Sequence, residues 1–255
     1  MKTNEPTPPS SSANPNPTVR LSIPTTWRAL TEEQLHQFAR IQTIEDLTTD
    51  ERRTLFLLSL LPGRYLERPL LRRIDPSELA AALPLLDFMD QPPTHPLRPA
   101  RLFPGGPKAV SPDLEGTPFS LYLQAENFYR GYLETSSPQA LEALARLLYP
   151  PAPTSKKTKH APPLTAAHHY LLLLWMVSLH AHYAQLFPHL FSRPAAQMDD
   201  LPSARDIMTA EIRTLTQGDV TRTPLVLQTE TLTALTELNE RAREAEEVSK
   251  KMKTS

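Results

Sequence analysis

Proline sets the limits of what this chain can fold into. It holds 28 prolines against six glycines in 255 residues, and each proline removes a backbone donor and blocks a helix interior. Eight of them fall in residues 91–118 together with Gly105-Gly106, so no regular helix passes through that stretch. Five more fall in residues 150–163 beside Lys156, Lys157, Lys159 and His160. That composition reads as an extended, charged surface linker. Residues 1–17 are rich in Pro, Ser, Asn and Thr with almost no apolar side chain. They bury too little to offset the entropy of ordering, and a disordered tail is expected.

Between these breaks the apolar spacing is helical. Thr31-Glu-Glu-Gln34 is a capping box, in which hydroxyl and amide satisfy backbone donors reciprocally. Trp27 and Leu30 precede it and can fold over Leu35 and Phe38 as a staple. Thr48 with Glu51 repeats the device and opens a helix carrying Leu55, Phe56, Leu58 and Leu61, which Pro62-Gly63 stops. Asp75-Pro76-Ser77-Glu78 starts a third helix, bearing Leu79, Ala82, Leu83, Leu86 and Phe88. Leu121, Ala125, Phe128, Tyr129 and Tyr132 mark one face of a helix over 119–134, and Pro138 starts another with Leu141, Leu144, Ala145 and Leu148 inside. Thr165 to Phe187 is apolar on every side over Leu171–Val177, the pattern of a central buried helix. A helix over 203–215 ends at a Gly218-Asp219 turn, and a long charged helix, starting at about Leu225 or Glu230, fills 230–252. Residues 18–23 alternate like a strand, and Leu102-Phe103 is available to pair with them. The expected fold is mostly α: a single irregular bundle of about eight helices spanning 18–252, with one short two-stranded β element near the N-terminus.

Several function classes are excluded by what is missing. With no cysteine, disulfide scaffolds, Cys-ligated zinc, iron–sulfur clusters and thiol nucleophiles fall away. Neither a dinucleotide-binding nor a P-loop glycine pattern is present, and the serines lack a nucleophile elbow. Twenty-seven basic against 28 acidic residues give a net charge of −1, which weighs against bulk affinity for nucleic acid or an anionic membrane. The opening residues have no apolar block and the run Tyr170–Val177 is too short to span a bilayer. A cytoplasmic protein without membrane contact is expected.

The chemistry-bearing residues are scattered. His168, His169, His180, His182 and His189 crowd one region, but none stands at the i, i+4 spacing of a helical metal pair. Half-buried histidines at the ends of a core helix are the better account. Asp87, Asp90, Asp199 and Asp200 sit at helix ends and linkers, where capping and solvation explain them. Glu126 lies within the aromatic helix beside Tyr122, Phe128, Tyr129 and Tyr132. It is either buried and paired, with Arg130 or an arginine from elsewhere, or exposed on the outer face; the rarity of buried glutamate favours exposure. Arg52, Arg53, Arg68, Arg72 and Arg73 make residues 51–75 locally basic. A solvated face is the plain reading, and a phosphate-binding face for nucleic acid is the alternative.

Six blocks carry a resemblance. Leu21–Leu35 (LSIPTTWRALTEEQL), Phe119–Tyr132 (FSLYLQAENFYRGY), Leu144–Pro150, Phe187–Phe191, and Leu215–Thr221 with Leu235–Asn239 are similar to helical proteins encoded in prophages and related mobile elements of gut-type anaerobic bacteria. The resemblance implies a phage-derived protein from the tail or assembly gene neighbourhood, and it carries over no catalytic residue, cofactor or metal. On this reading the chain is a non-enzymatic interaction factor whose partners are other phage structural or assembly proteins. Its contacts are expected from Tyr122, Glu126 and Tyr129 on the aromatic helix and from Leu235, Leu238, Arg241 and Glu244 on the last helix.

Overall fold

The capping signals become real helix starts. In the computed structural model, which describes residues 22–61, 76–151, 162–191 and 204–254, helix α1 (Glu32–Gln42) opens with Thr31 Oγ1 accepting the Gln34 N–H at 3.2 Å. The Gln34 side chain in turn accepts the Thr31 N–H at 2.9 Å. Helix α2 (Thr49–Ser59) opens the same way, Glu51 accepting the Thr48 N–H at 2.7 Å. Each box satisfies two of the four donors a helix start leaves open. Trp27 then packs edge-on against Phe38 at 5.1 Å, and Phe38 meets Phe56 at 6.0 Å, so the staple locks α1 to α2.

The third helix is shorter than its apolar pattern predicts. Helix α3 (Pro76–Ala82) gives way to a 3₁₀ segment over Leu83–Asp90. Pro84 has no N–H to offer Ala80, so the tighter winding takes over there. Helices α4 (Phe119–Thr135) and α5 (Pro138–Leu148) form a tight antiparallel hairpin. Helix α6 (Ala166–Leu186) is the central element, with Leu171, Leu172, Trp175, Met176, Ser178, Leu179 and Tyr183 buried. It packs on α1 and α5 and leads into the single turn α7 (Pro188–Phe191). Val177 is the exception to all-round burial, facing partly outward.

Helix α8 (Ala204–Thr216) lies over α4 and ends in a left-handed turn. Gln217 (φ +56°) turns the chain so that the Gly218 N–H reaches back to the Arg213 carbonyl at 3.1 Å, and Gly218 follows at φ +82°, a conformation glycine takes up without strain. The stretch from Leu225 offered as an early start of the last helix is a separate short helix, α9 (Thr223–Gln228), which leads into α10 (Thr231–Thr254). The starts of α4 and α10 are clamped together. Phe119 N–H donates to the Thr229 carbonyl and Thr231 N–H to the Thr117 carbonyl, both at 2.8 Å. Ten α-helices are thus present among the described residues, and the mostly α bundle stands.

The two-stranded element does not form among the described residues. Leu102 is buried against the helices instead, and a lone bridge between Pro118 and Glu230 is the sole strand-like pairing. Residue 21 and those before it, hence the expected tail and most of the expected strand, lie outside the described residues, as do 152–161 of the expected linker.

Residues 91–118 are a strap rather than a loose insert. Prolines leave this segment short of N–H donors, so its carbonyls have no ladder to join. Core side chains supply the donors instead. Trp27 Nε1–H reaches the Gln91 carbonyl at 2.9 Å, Tyr149 OH the Pro99 carbonyl at 3.0 Å, Trp175 Nε1–H the Pro112 carbonyl at 2.7 Å and Tyr183 OH the Asp113 carbonyl at 2.7 Å. The strap's own Leu97 N–H donates to Ser178 Oγ at 2.9 Å. Leu102 and Leu114 then insert as apolar anchors.

Candidate functional site

One face of α4 carries three polar side chains inward. Tyr122, Glu126 and Arg130 stand at successive i, i+4 positions and so share a face. From α6, His180 Nε2–H donates to one carboxylate oxygen of Glu126; Arg130 Nε donates to the other at 3.4 Å. The ring of Tyr129 meets the His180 ring edge-on at 5.3 Å. With 9% of its surface exposed, Glu126 is buried, and two donors satisfy the charge that burial would otherwise penalise.

Helix α8 closes the cluster from above. Ile207, Met208 and Glu211 face Tyr122, Leu123, Glu126 and Arg130 across a cavity of 20 Å³, room for about one water. Burial is the main force on Glu211. The nearby Glu126 charge adds to it, Arg130 opposes both, and the Glu211 carboxyl is pushed up to about 7. Burial likewise lifts the Tyr122 hydroxyl well above its ordinary range, reinforced by Glu126 and Glu211. The arrangement holds a proton in the neutral range at Glu211 and pins three helices, α4, α6 and α8, around one carboxylate.

The other sequence-predicted positions fall into three groups. Tyr122, Tyr129, Leu235 and Leu238 are buried in this chain's own core, which corrects their assignment as partner contacts: the packing of α4 and α10 uses them up. Glu126 is buried too, against the expectation of an exposed face, because its histidine partner arrives from 54 residues away. Arg241 is half-buried, donating to Glu237 at 2.7 Å and to the Thr214 carbonyl at the end of α8. Glu244 alone of the set is fully on the surface.

Among the basic residues, Arg53 is taken up by ion pairs with Asp87 at 3.0 Å and with Asp90, and Arg52 donates to the Ile44 carbonyl at 3.2 Å. The pair Asp87 and Asp90, read as caps from the sequence, therefore ties α2 to the 3₁₀ segment. Arg68, Arg72 and Arg73 lie outside the described residues. The histidines do not assemble. His168 caps α6, His169 lies near Glu142, and His189 pairs with Glu246 at 3.2 Å. No group of side chains suited to a metal ion occurs among the described residues, and no helix among them is long and apolar enough to cross a membrane.

His180 and an arginine beside Glu126 are among the groupings the sequence offers, with His169 as a further member; the structure brings His180 and Arg130 to Glu126, and adds Glu211, which the sequence does not single out. The available signal was Glu211 in the same helical stripe as Ile207 and Met208, a carboxylate beside an apolar face. No protein-family model, curated protein or solved structure matches the chain.

Proposed function

We propose that this chain is a non-enzymatic protein-interaction factor that docks through the far end of α10. One observation carries the reading. Up to Ala242 the helix is packed on the body, with Ala234, Leu235, Leu238 and Asn239 buried, and beyond it the exposed Glu246 still reaches back to His189 at 3.2 Å. From Arg243 onward every described side chain is exposed, yet apolar residues continue: Val248 is 51% and Met252 71% exposed. A helix end that keeps an apolar stripe after leaving its own core suits docking against another surface. The resemblance of blocks such as Leu21–Leu35 and Phe119–Tyr132 to prophage-encoded helical proteins makes a tail-assembly or structural accessory role the class of function to examine first.

The test is capture of partners by the full chain and by a chain ending at Ala242. Ending the chain at residue 229 would be a poor control, because it removes Leu235, Leu238 and the Asn239 side chain that caps α7. The expected result is loss of captured structural or assembly proteins from the shorter chain, with its helicity and stability retained. Equal capture by both chains would overturn the reading.

A further inference from the structure

We infer that the N-terminal half of α8 is a proton-operated flap, seated on α4 while Glu211 is protonated and lifted from it when Glu211 ionises. Lifting uncovers Tyr122 and Leu123 of α4 and the apolar side of α8 that covers them. The residues concerned are separate from the far end of α10, and two features of α8 mark them out.

The first is how lightly α8 is held. Ile207, Met208, Ile212 and Leu215 are only partly covered, and none of its described side chains before Thr216 is buried, whereas α4, α5 and α6 each bury several. Its C-terminal end is the anchored one. Thr216 is buried, Arg241 donates to the Thr214 carbonyl, and the Gly218 N–H reaches the Arg213 carbonyl. The other half, Ile207 to Glu211, roofs the cavity over Tyr122, Leu123, Glu126 and Arg130. Segments with few buried apolar contacts open locally at the lowest cost, so lifting begins at the N-terminal half.

The second is the residue at the centre of the contact. Glu211 shares a helix face with Ile207, Met208 and Leu215 and meets Glu126 across room for about one water. Protonated, its carboxyl brings a donor to the cavity and no charge. Ionised, it sets a second carboxylate opposite the first, and the one cation lining the cavity, Arg130, is already donating to Glu126 at 3.4 Å. Repulsion and desolvation then act together against the seated helix. Burial, aided by Glu126 and opposed by Arg130, accordingly pushes the Glu211 carboxyl up to about 7. The Tyr122 hydroxyl, lifted by burial, stays neutral throughout. The other elements around α8 spend their charges elsewhere. His180 of α6 is turned to Glu126, Arg241 of α10 to Glu237 and Thr214, and Arg222 of the 3₁₀ turn Val220–Arg222 to Asp219. Helix α9 has no ionisable side chain. On α8 itself Arg205, Asp206 and Arg213 stand exposed, about 120° or more around the helix from Glu211.

Hydrogen exchange of the full chain, with rates corrected for the intrinsic effect of pH, reads the opening. The seated form holds the Glu211 proton between the ordinary 4.5 and about 7, so seating weakens as pH rises through that window and is level above it. The opening constant of amides Met208 to Ile212 should rise about a hundredfold from pH 4.5 to 7.5. Amides of α6 such as Leu172 and Trp175 should exchange more slowly than these throughout. Glu211→Gln, which keeps the shape and cannot ionise, should hold the α8 opening constant level over the same range. An opening that does not change with pH in the natural chain, or the same rise in Glu211→Gln, would overturn the proton as the trigger. Amides of α8 that exchange no faster than those of α6 would overturn a separate movement of the helix.

Discussion

The strap over residues 91–118 and the far end of α10 are opposites. The strap has no regular element, yet its carbonyls are pinned by Trp27, Tyr149, Trp175 and Tyr183 and its leucines are buried. The end of α10 is regular helix through Thr254, yet from Arg243 its described side chains are all exposed. Regular secondary structure and membership of the core are therefore separate properties. Backbone hydrogen bonds can be satisfied locally by a helix or remotely by core side chains, and only the second arrangement ties a segment to the body. A segment of the first kind is available for contact with something else.

Trp175→Ala should cause the largest loss. The ring is wholly buried, packs edge-on against Tyr149 at 5.8 Å and holds the Pro112 carbonyl. Truncation should cost about 3–5 kcal/mol, read by chemical denaturation. A loss near that of a surface substitution would show that the strap is not anchored there.

Helix α8 lies between the two extremes, held on α4 partly by the polar cluster. Glu211, with its carboxyl pushed up to about 7 from an ordinary 4.5, keeps its proton in the folded chain where the unfolded chain has lost it. The folded state then binds more protons between those values, so this group's contribution falls as pH rises from about 4.5 to 7 and is level above. The facing groups are Glu126, Arg130 and Tyr122 on α4, with His180 behind Glu126. Glu211→Gln should flatten that part of the stability–pH curve and raise stability above neutrality. An unchanged curve would remove Glu211 from the cluster.

Tyr183→Phe deletes one hydroxyl and leaves the Asp113 carbonyl without its donor. A loss of about 1–2 kcal/mol is expected, again by denaturation. Val248→Ser on the exposed end should stay within about 0.5 kcal/mol; a cost comparable to Tyr183→Phe would mean that the end of α10 is part of the body after all.

Much of the fold is legible because its signals are local. Thr31 with Gln34, Thr48 with Glu51, the apolar run of α6 and the Gly218 turn each act within four residues or so of chain, and each appears where the sequence places it. What stays hidden depends on distant partners. Glu126 looks like a surface residue until His180 is brought across from α6, and the strap looks like a loop until aromatic donors reach its carbonyls from segments 50 to 70 residues away. The strand expected at Leu102 fails for the complementary reason: an apolar pair of residues is satisfied equally by a pocket between helices. The last helix is legible in the way the local signals are: its apolar spacing and the charges crowding Glu237 to Lys253 point to a docked first half and a projecting charged tip.

Hydrogen exchange at low and high protein concentration tests the central contrast most directly. The account predicts slow exchange at both concentrations for strap amides such as Ala109, Val110 and Thr117, which are bonded to Ala100, Leu148 and Leu114. It predicts fast exchange at both concentrations for residues 243–254, whose described side chains are all exposed. Protection of residues 243–254 that is already complete in dilute solution, or a strap that exchanges as fast as they do, would contradict it.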